Sequence, residues 1–522
     1  MIDTEAMPFL ADIPRVQAGL RPDDVAFWFE EETTTYGQLE RYSNQVANGL
    51  IAGGVGPDDR VGYLAKNTSQ YYEMLYGAAK ARAVMTAVNT RLAAPEVKFI
   101  LSDAAAKILF VGRDFYAMAE EIRGELPGLT EIVAVDGGHP DWPDYKTWRD
   151  AQSPAPPGLT PLADDDVIQL YTSGTTGLPK GVQLTNANYK AFMDQVAHLD
   201  WGTFGVGEAV MNAMPLFHVA GVNLGILGSA QGARTVVLRD IDPQFILRLV
   251  EAQKIVHSFW VPAVILMLTQ QPNVRDIDWS SLRRVSYGAS PIAESLLVEA
   301  QEIMGAMFTQ LYGLTETVGA ATYLPPEAHD PSWGKLRSCG VPYPGAVVRC
   351  VDVAGNPVPA GEVGEIVIKA GFVMKGYWNR PEATADTVRD GFFHTGDAGY
   401  FDEDGFLYIH DRLKDMIVSG AENVYPAEVE NAIFGHPGVA DVAVIGVPDE
   451  RWGEAVKAIV VPKPGERPNP EDIIAWAKQR IAAYKCPKTV DFTDTLPRNP
   501  SGKILRKDLR EPYWKDMDRR IG

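Results

Sequence analysis

The stretch VIQLYTSGTTGLPKGV, residues 167–182, joins a short apolar run to a turn rich in Gly, Ser and Thr. The apolar residues 167–171 predict a buried strand. Small residues in the turn let backbone N–H groups approach phosphate oxygens, and the hydroxyls and the Lys180 cation are further partners for phosphate. The stretch therefore predicts a phosphate-binding loop after a strand. The residues expected to hold the phosphates are Thr172, Ser173, Gly174, Thr175, Thr176, Gly177 and Lys180.

The spacing of this loop differs from the pattern GxxxxGK[ST], because Pro179 stands where that pattern requires its second Gly. A Walker-type nucleoside triphosphatase is therefore disfavoured. Gly, Ser and Thr also cluster in ordinary surface loops, so the loop by itself leaves a purely structural role open. Other parts of the sequence are needed to distinguish a phosphate-binding loop from a purely structural one.

Helical and strand-like patterns alternate on both sides of the loop. An amphipathic pattern covers residues 36–52 and apolar runs cover residues 60–64 and 108–111, as is typical of α/β layers around a parallel sheet. After Pro325 short strands separated by turns predict a small β-barrel-like subdomain at about 335–410. From about residue 415 the pattern is α+β, with helices predicted near residues 426–434 and 472–482 and strands near residues 439–447 and 458–462. We predict an α/β fold with a large N-terminal domain of stacked α/β subdomains, residues 1–413, and a small C-terminal domain, residues 414–522.

The composition indicates a globular protein that does not bind nucleic acid. The chain has 522 residues, of which 46% are hydrophobic and 22% charged, and its formal net charge is −20. This charge repels nucleic acid and anionic membranes at long range. The chain has three Cys without metal-site spacing and no apolar run long enough for a membrane span. A cytoplasmic protein without an integral membrane segment is expected, and a homodimer remains open.

Six further motifs follow the loop in order. They are MPLFHVAG at 214–221, YGLTET at 312–317, GEIVIKAGFVMKGYW at 364–378, GFFHTGD at 391–397, DRLKDMIVSGAENVYPAEVE at 411–430 and PRNPSGKILR at 497–506. Together with the loop they resemble the signature motifs of the adenylate-forming superfamily, which includes acyl-CoA synthetases, luciferases and peptide-synthetase adenylation domains. The resemblance covers almost the whole chain.

The resemblance implies a nucleotide site built from three segments. Tyr312 would offer its ring to adenine, Thr315 its hydroxyl to the α-phosphate, and Glu316 a carboxylate to Mg²⁺. Thr175 of the loop is the second expected metal contact. Asp397 would bind the ribose hydroxyls together with Arg412. The segment expected to flank adenine is Gly288, Ala289 and Ser290.

The resemblance also implies a mobile C-terminal domain that serves two half-reactions. Lys503 would stabilise charge at the α-phosphate during acyl-adenylate formation. Lys414 matches the hinge about which the domain turns into a second pose. In that pose Ser419, Gly420 and Ala421 would border a tunnel for coenzyme A, although relatives often carry a second Gly where this chain has Ala421.

The acyl pocket is expected between residues 214 and 323. His218 matches a residue that gates this pocket, although a lone His on an apolar segment is more often structural. Because His218 stands where amino-acid-activating relatives place an Asp, an amino acid substrate is disfavoured. Gly313 replaces the indole of acetate-activating relatives, which favours a deeper tunnel. The expected pocket residues are Val222, Asn223, Trp260, Val261, Tyr287, Gly313, Val318 and Gly319.

These expectations describe an ATP-dependent, AMP-forming acyl-CoA ligase that uses Mg²⁺ and coenzyme A. The substrate would be a medium-to-long-chain fatty acid or another hydrophobic acid, aryl or alicyclic. One alternative is an acyl-AMP ligase that loads a carrier protein. A second is a non-catalytic protein that binds a nucleotide or an acyl-adenylate.

Overall fold

The computed structural model describes residues 2–172, 179–412, 415–419, 422–449, 453–481, 483–498 and 504–515. Helices and strands alternate along the first of these ranges, as the sequence predicts. Its elements are α1 (Asp12–Leu20), β1 (Val25–Phe29), β2 (Glu32–Thr35), α2 (Tyr36–Ala52), β3 (Arg60–Leu64), α3 (Gln70–Lys80), β4 (Val84–Ala87), α4 (Ala94–Asp103), β5 (Ile108–Val111), α5 (Tyr116–Arg123), β6 (Glu131–Ala134), α6 (Tyr145–Asp150) and β7 (Asp166–Thr172).

The alternation continues after the phosphate loop. The elements there are β8 (Lys180–Thr185), α7 (Asn186–Val196), β9 (Ala209–Asn212), α8 (Val219–Ala230), β10 (Arg234–Val237), α9 (Pro243–Ala252), β11 (Ile255–Trp260), α10 (Pro262–Thr269), β12 (Arg284–Gly288), α11 (Glu294–Met304), β13 (Met307–Tyr312), β14 (Thr322–Leu324) and β15 (Val341–Pro342).

Local sequence explains why these elements form where they do. The first long helix, α2, begins after Thr35, whose side chain accepts from the Gln38 N–H while the Gln38 side chain accepts from the Thr35 N–H. This capping box satisfies two N–H groups that the helix cannot pair internally. All five residues of β3 are buried, because parallel strands covered on both faces have no solvent side.

Two large sheets contain most of these strands. The seven-stranded sheet has the order β18-β8-β7-β4-β3-β5-β6, in which β18 is the later strand Gly376–Tyr377, and the nine-stranded sheet has the order β15-β14-β13-β12-β11-β9-β10-β1-β2. The inner pairs of both sheets are parallel; antiparallel strands lie at both edges of the nine-stranded sheet and at the β18–β8 edge of the seven-stranded sheet. The predicted α/β class is confirmed by this architecture.

A β-rich part follows, as the change of pattern after Pro325 predicts. Its elements are β16 (Val347–Val351), β17 (Gly364–Lys369), β18 (Gly376–Tyr377), α12 (Pro381–Thr387), β19 (Val388–Arg389), β20 (Phe392–Phe401) and β21 (Leu407–Arg412). Five of these strands form an antiparallel sheet in which β20 pairs with β17, β19 and β21. Strand β18 leaves this sheet and pairs with β8 beside the phosphate loop.

The last part of the chain builds a sheet of its own. Its elements are β22 (Ile417–Ser419), β23 (Glu422–Val424), α13 (Pro426–Phe434), β24 (Val439–Asp449), β25 (Gly453–Pro462), α14 (Pro470–Lys478), β26 (Thr489–Phe492) and α15 (Arg506–Trp514). Helices α13 and α14 pack on this sheet around a separate apolar core. The helix predicted near residues 472–482 spans residues 470–478 instead. It begins earlier because Asn469 caps it ahead of Pro470.

Among the described residues, three large apolar cores and one small cluster lie in the N-terminal part of the chain. The largest joins helices α2, α3 and α8 to both large sheets and to the β-rich part. The second lies on the other side of the nine-stranded sheet, under α9, α10 and α11, and the third covers the outer face of the seven-stranded sheet. In the described part of the chain, none of the helices is both long and apolar enough for a membrane span.

Candidate active site

Four neighbouring parallel strands of the nine-stranded sheet end at one edge, and many predicted site residues follow them. These strands lie in the order β13, β12, β11, β9. Tyr312 ends β13, Gly288 ends β12 and Trp260 ends β11, while His218 follows β9 in the chain. The carboxyl ends of parallel strands are the usual ligand edge of an open α/β sheet. The fold thus gathers residues that are far apart in the sequence.

The residues predicted to contact adenine and ribose touch each other. The Tyr312 hydroxyl donates a hydrogen bond to Asp397 Oδ2 over 2.8 Å, and both side chains are buried. Burial, and then the Asp397 charge, raise the pKa of Tyr312 well above its ordinary value, so the hydroxyl keeps its proton as a donor. Strand β21 places the backbone of Arg412 opposite Asp397. The β-rich part therefore supplies the side of the site that is predicted to bind ribose.

Glu316 is held by a tyrosine that the sequence analysis did not single out. The Tyr377 hydroxyl lies 2.9 Å from Glu316 Oε1, and both residues are buried. The Glu316 carbonyl also accepts from the Met374 N–H over 2.7 Å. The Lys180 ammonium lies 4.9 Å from the centre of the Tyr377 ring. Tyr377 therefore connects the predicted metal-binding carboxylate to the predicted phosphate-binding cation.

The phosphate loop connects two antiparallel strands. Thr172 at the end of β7 pairs with Lys180 at the start of β8, and residues 173–178, which include Ser173, Gly174, Thr175, Thr176 and Gly177, lie outside the described residues. A Walker loop leads instead from a strand into a helix. The connection agrees with the loop spacing, which excludes that class.

Buried charges fix the base of this hairpin. The Asp166 carboxylate at the start of β7 accepts from Arg60 Nη2 over 3.0 Å and from Lys375 Nζ over 3.0 Å. The Arg60 guanidinium stacks 3.3 Å from the Trp378 ring centre. At the other end of β7, the Tyr171 hydroxyl donates to Asp103 over 2.8 Å. These contacts tie the loop to the segment that carries Tyr377, because Lys375 and Trp378 flank that residue.

Two non-glycine residues of the predicted site have left-handed backbone. Ala289 has φ +69° and Val318 has φ +54°, and this conformation is uncommon for a β-branched residue. Such strain often occurs at functional sites. A Cβ at Gly313 would lie 2.2 Å from the Gly319 carbonyl carbon. Close backbone approach therefore requires glycine at this position, and the deeper tunnel expected there stays a prediction.

His218 stands at the N-terminus of α8. Its carbonyl accepts the first N–H groups of that helix, but its side chain makes no capping bond. The imidazole Nε2 is buried and has no hydrogen-bond partner among the described residues. Burial, followed by the Arg91 charge, lowers the pKa of His218 to about 4. At neutral pH the imidazole is therefore uncharged, and its Nε2 can form a hydrogen bond with an incoming group.

The predicted acyl-pocket residues lie on both sides of the seam between the two largest cores. Val222 and Val318 belong to one core, whereas Trp260, Val261 and Tyr287 belong to the other. Asn223 donates to the Val318 carbonyl over 2.8 Å, and Gly319 lies next to this contact. Tyr287 donates to His329 Nε2 over 3.2 Å, because His329 Nδ1 donates to the Pro325 carbonyl.

Comparison with known proteins decides what this arrangement represents. The profile of the AMP-binding enzyme family matches residues 15–378, and that of the AMP-binding enzyme C-terminal domain matches residues 428–503. The chain belongs to the AMP-binding enzyme family. A fatty acid–acyl-carrier-protein ligase of Streptomyces coeruleorubidus is 42% identical over 96% of this chain and 95% of the relative. A feruloyl-CoA synthase of an Amycolatopsis species is 40% identical over 97% of this chain and 99% of the relative.

A solved structure agrees with this assignment. The structure of an anthranilate CoA ligase with anthranoyl-AMP aligns with a TM-score of 0.89 at 28% identity, over 97% of each chain. The predicted superfamily, fold class and enzyme class are confirmed: the protein is an AMP-forming acid–thiol ligase of the AMP-binding family.

The C-terminal candidates of this AMP-binding enzyme are partly described. Ser419 is buried at the end of β22 and pairs with Glu422 and Gly453. Strand pairing places the backbone of Arg412 opposite Asp397. Ser290 lines a cleft together with Arg498 and Ile504. Four of the C-terminal candidates lie outside the described ranges, as the loop residues 173–177 do: Lys414, Gly420, Ala421 and Lys503.

Proposed function

We propose that this AMP-binding enzyme converts a hydrophobic carboxylic acid to an acyl-adenylate with ATP and then transfers the acyl group to coenzyme A. The observation that carries the proposal is the pair of contacts Tyr312–Asp397 and Tyr377–Glu316. They combine an aromatic ring, a diol-binding carboxylate and a metal-binding carboxylate beside Lys180. These are the groups that a nucleoside triphosphate with its metal requires.

The residues present fit Mg²⁺. Glu316 offers a hard oxygen ligand, and Tyr377 fixes its orientation. Mg²⁺ is usually held by one or two carboxylates plus substrate phosphates, and Glu316 would supply one such carboxylate. Thr175 is the second proposed contact. When bound, the ion neutralises charge on the triphosphate and on the departing pyrophosphate.

In the first half-reaction an oxygen of the substrate carboxylate attacks the α-phosphorus of ATP. The bond from this phosphorus to the bridging oxygen breaks, and pyrophosphate leaves with the electron pair. Thr315 and Lys503 hold the α-phosphate as its charge grows. Charge placed where it develops in the transition state is worth about 10²- to 10³-fold in rate. His218 orients the substrate carboxylate. Because the imidazole is uncharged, it does not form an ion pair with that carboxylate.

In the second half-reaction the coenzyme A sulfur attacks the acyl carbonyl carbon after losing its proton, and AMP leaves with the electrons of the broken C–O bond. The domain after Lys414 turns between the two steps. Ser419, Gly420 and Ala421 then border the path of the thiol. This division assigns Lys503 to the first step alone.

The proposed substrate is a fatty acid or an aryl acid. The candidate walls are apolar and buried: Val222, Trp260, Val261 and Val318. Burial of an alkyl chain contributes about 0.8 kcal/mol per CH₂, so such walls suffice for affinity. The relatives named above act on a fatty acid and form feruloyl-CoA, which supports both substrate classes. Three free thiols, those of Cys339, Cys350 and Cys486, support the proposed cytoplasmic location.

A second candidate acceptor is a carrier protein, because the Streptomyces relative is a ligase of that kind and matches nearly the full chain. Octanoate, dodecanoate, hexadecanoate and ferulate should each be tested for AMP release with either coenzyme A or a phosphopantetheinylated carrier. Acid-dependent AMP release with coenzyme A is expected. Acylation of the carrier together with absence of acyl-CoA would favour the second acceptor, and absence of adenylation with every acid would favour a binding protein.

A further inference from the structure

The segment that contains Lys503 is held at both of its ends. Residues 499–503 lie outside the described ranges, but Arg498 and Ile504 face each other in an antiparallel bridge. One step further out, the Leu505 N–H donates to the Pro497 carbonyl over 2.8 Å. Residues 497–498 and 504–505 therefore form a paired base on either side of the segment that contains Lys503, which we call the hairpin base.

An ion pair anchors each side of this base. On the incoming side, Arg498 Nη2 lies 2.6 Å from Asp441 Oδ2. On the outgoing side, Arg506 Nη2 lies 2.9 Å from Glu430 Oε1 and 2.8 Å from Oε2. Ion pairs of this kind give fixed geometry when they are withdrawn from water. The Arg506–Glu430 pair is nearly buried, with exposed side-chain fractions of 9% and 13%.

The two carboxylates belong to one rigid frame. Glu430 lies on α13 and also accepts from the Val444 N–H on β24 over 2.7 Å. Asp441 lies on the same strand, β24. The helix, the strand and both arginines are thus connected, and a shift of either carboxylate would move the hairpin base.

We propose that Glu430 and Asp441 are positioning residues that set the reach of Lys503 through this clamp of two ion pairs. The inference rests on the role proposed for Lys503 in adenylate formation. All four clamp residues follow the proposed hinge at Lys414, so the clamp would travel with Lys503 when the C-terminal domain turns.

The clamp also faces the nucleotide side of the molecule. Its four residues line one cleft together with Ser290 and Pro291. Ser290 belongs to the segment proposed to flank adenine. A catalytic group displaced by about 1 Å can lose about 10²-fold in rate. Loosening the clamp should therefore affect the step that needs Lys503 and spare the step that does not.

The test uses the full-length enzyme and both half-reactions. Glu430→Gln, Arg498→Met and Arg498→Lys are compared by acid-dependent exchange of labelled pyrophosphate into ATP, with dodecanoate or ferulate as the acid. Thioester formation is measured separately from supplied acyl-adenylate and coenzyme A. The matched control is Glu428→Gln on the same helix, because Glu428 pairs with Lys485 over 2.7 Å and belongs to no part of the clamp.

We expect Glu430→Gln and Arg498→Met to reduce exchange about 10- to 100-fold with thioester formation within threefold of wild type. Arg498→Lys should recover part of the loss, and Glu428→Gln should resemble wild type in both reactions. Equal loss of both reactions would overturn the proposal, because it would indicate domain damage. Unchanged exchange would overturn it as well.

A parallel Lys503→Ala variant separates this inference from the proposed function. Full exchange by Lys503→Ala would overturn the role of Lys503 and the clamp together. Loss of exchange in Lys503→Ala, with full exchange in the clamp variants, would overturn the clamp alone.

Discussion

Replacement of Tyr377 by Phe removes one oxygen atom and leaves the ring that faces Lys180. In the wild-type enzyme this hydroxyl lies 2.9 Å from Glu316 Oε1, and both side chains are buried. A hydrogen bond to a charged group contributes about 1.5–3 kcal/mol. If that bond orients Glu316 for the metal in the transition state, its loss should slow adenylation by about 10- to 150-fold.

The protein contains a matched control for this change. The Tyr145 hydroxyl lies 2.9 Å from Glu73 Oε2, and both residues are buried. Tyr145 lies on α6, away from the proposed nucleotide site. Tyr145→Phe should therefore lower the melting temperature with kcat unchanged, because it removes the same kind of bond from a structural carboxylate.

The assay is pyrophosphate exchange as a function of MgATP and free Mg²⁺, with thermal unfolding measured for both variants. Tyr377→Phe should lower kcat and require more Mg²⁺. Nucleotide binding, followed by calorimetry without turnover, should weaken with the same dependence on Mg²⁺. Exchange within twofold of wild type, or an equal loss in Tyr145→Phe, would refute the reasoning.

Three further predictions concern separate parts of the molecule. Lys503→Ala should abolish pyrophosphate exchange but keep thioester formation from supplied acyl-adenylate, and equal loss of both would contradict the two-step division. Tyr312→Phe should raise the KM for ATP about tenfold by removing one hydrogen bond that orients Asp397, at a cost of about 1–2 kcal/mol; an unchanged KM would exclude this coupling. The free energy of unfolding should fall as the pH falls from about 6.5 towards 4, since burial lowers the pKa of three histidines, and the unfolded chain binds protons that the folded chain does not. Each of these histidines should lower the free energy of unfolding by ~2 kcal/mol by about pH 5. A free energy of unfolding that stays flat from pH 7 to 5 in denaturant titrations would contradict this prediction. These histidines are His218 and His329, with pKa of about 4, and His257, with pKa of about 3.

Periodic elements of the fold could be predicted from the sequence with good boundaries. Helix α2 spans Tyr36–Ala52 and α13 spans Pro426–Phe434, as predicted, since a clear apolar period and a defined start determine each of them. Strand β25 begins at Gly453, earlier than the run predicted from residue 458, because its ladder with β24 continues to Asp449. Such pairing depends on the partner strand and is invisible in a single segment.

The chemistry of the candidate site could be predicted only where a motif carries it. Glu316 and Asp397 stand in the motifs at 312–317 and 391–397, and each accepts a hydrogen bond from a buried tyrosine; their roles stay predictions. Tyr377 also lies in one of the motifs, at 364–378, but its contact with Glu316 joins strand β18 to the turn that follows β13. A hydroxyl that reaches across such a gap leaves no local pattern, and the same holds for the ion pair between Arg506 and Glu430.

The most direct test of the central claim is acid-dependent pyrophosphate exchange, followed by addition of coenzyme A to the same mixture. Labelled pyrophosphate should enter ATP when dodecanoate or ferulate is present and coenzyme A is absent. After coenzyme A is added, acyl-CoA and AMP should form in equal amounts. Exchange that needs no acid, or AMP released without any acyl thioester, would contradict a ligase that adenylates an acid and transfers it to a thiol.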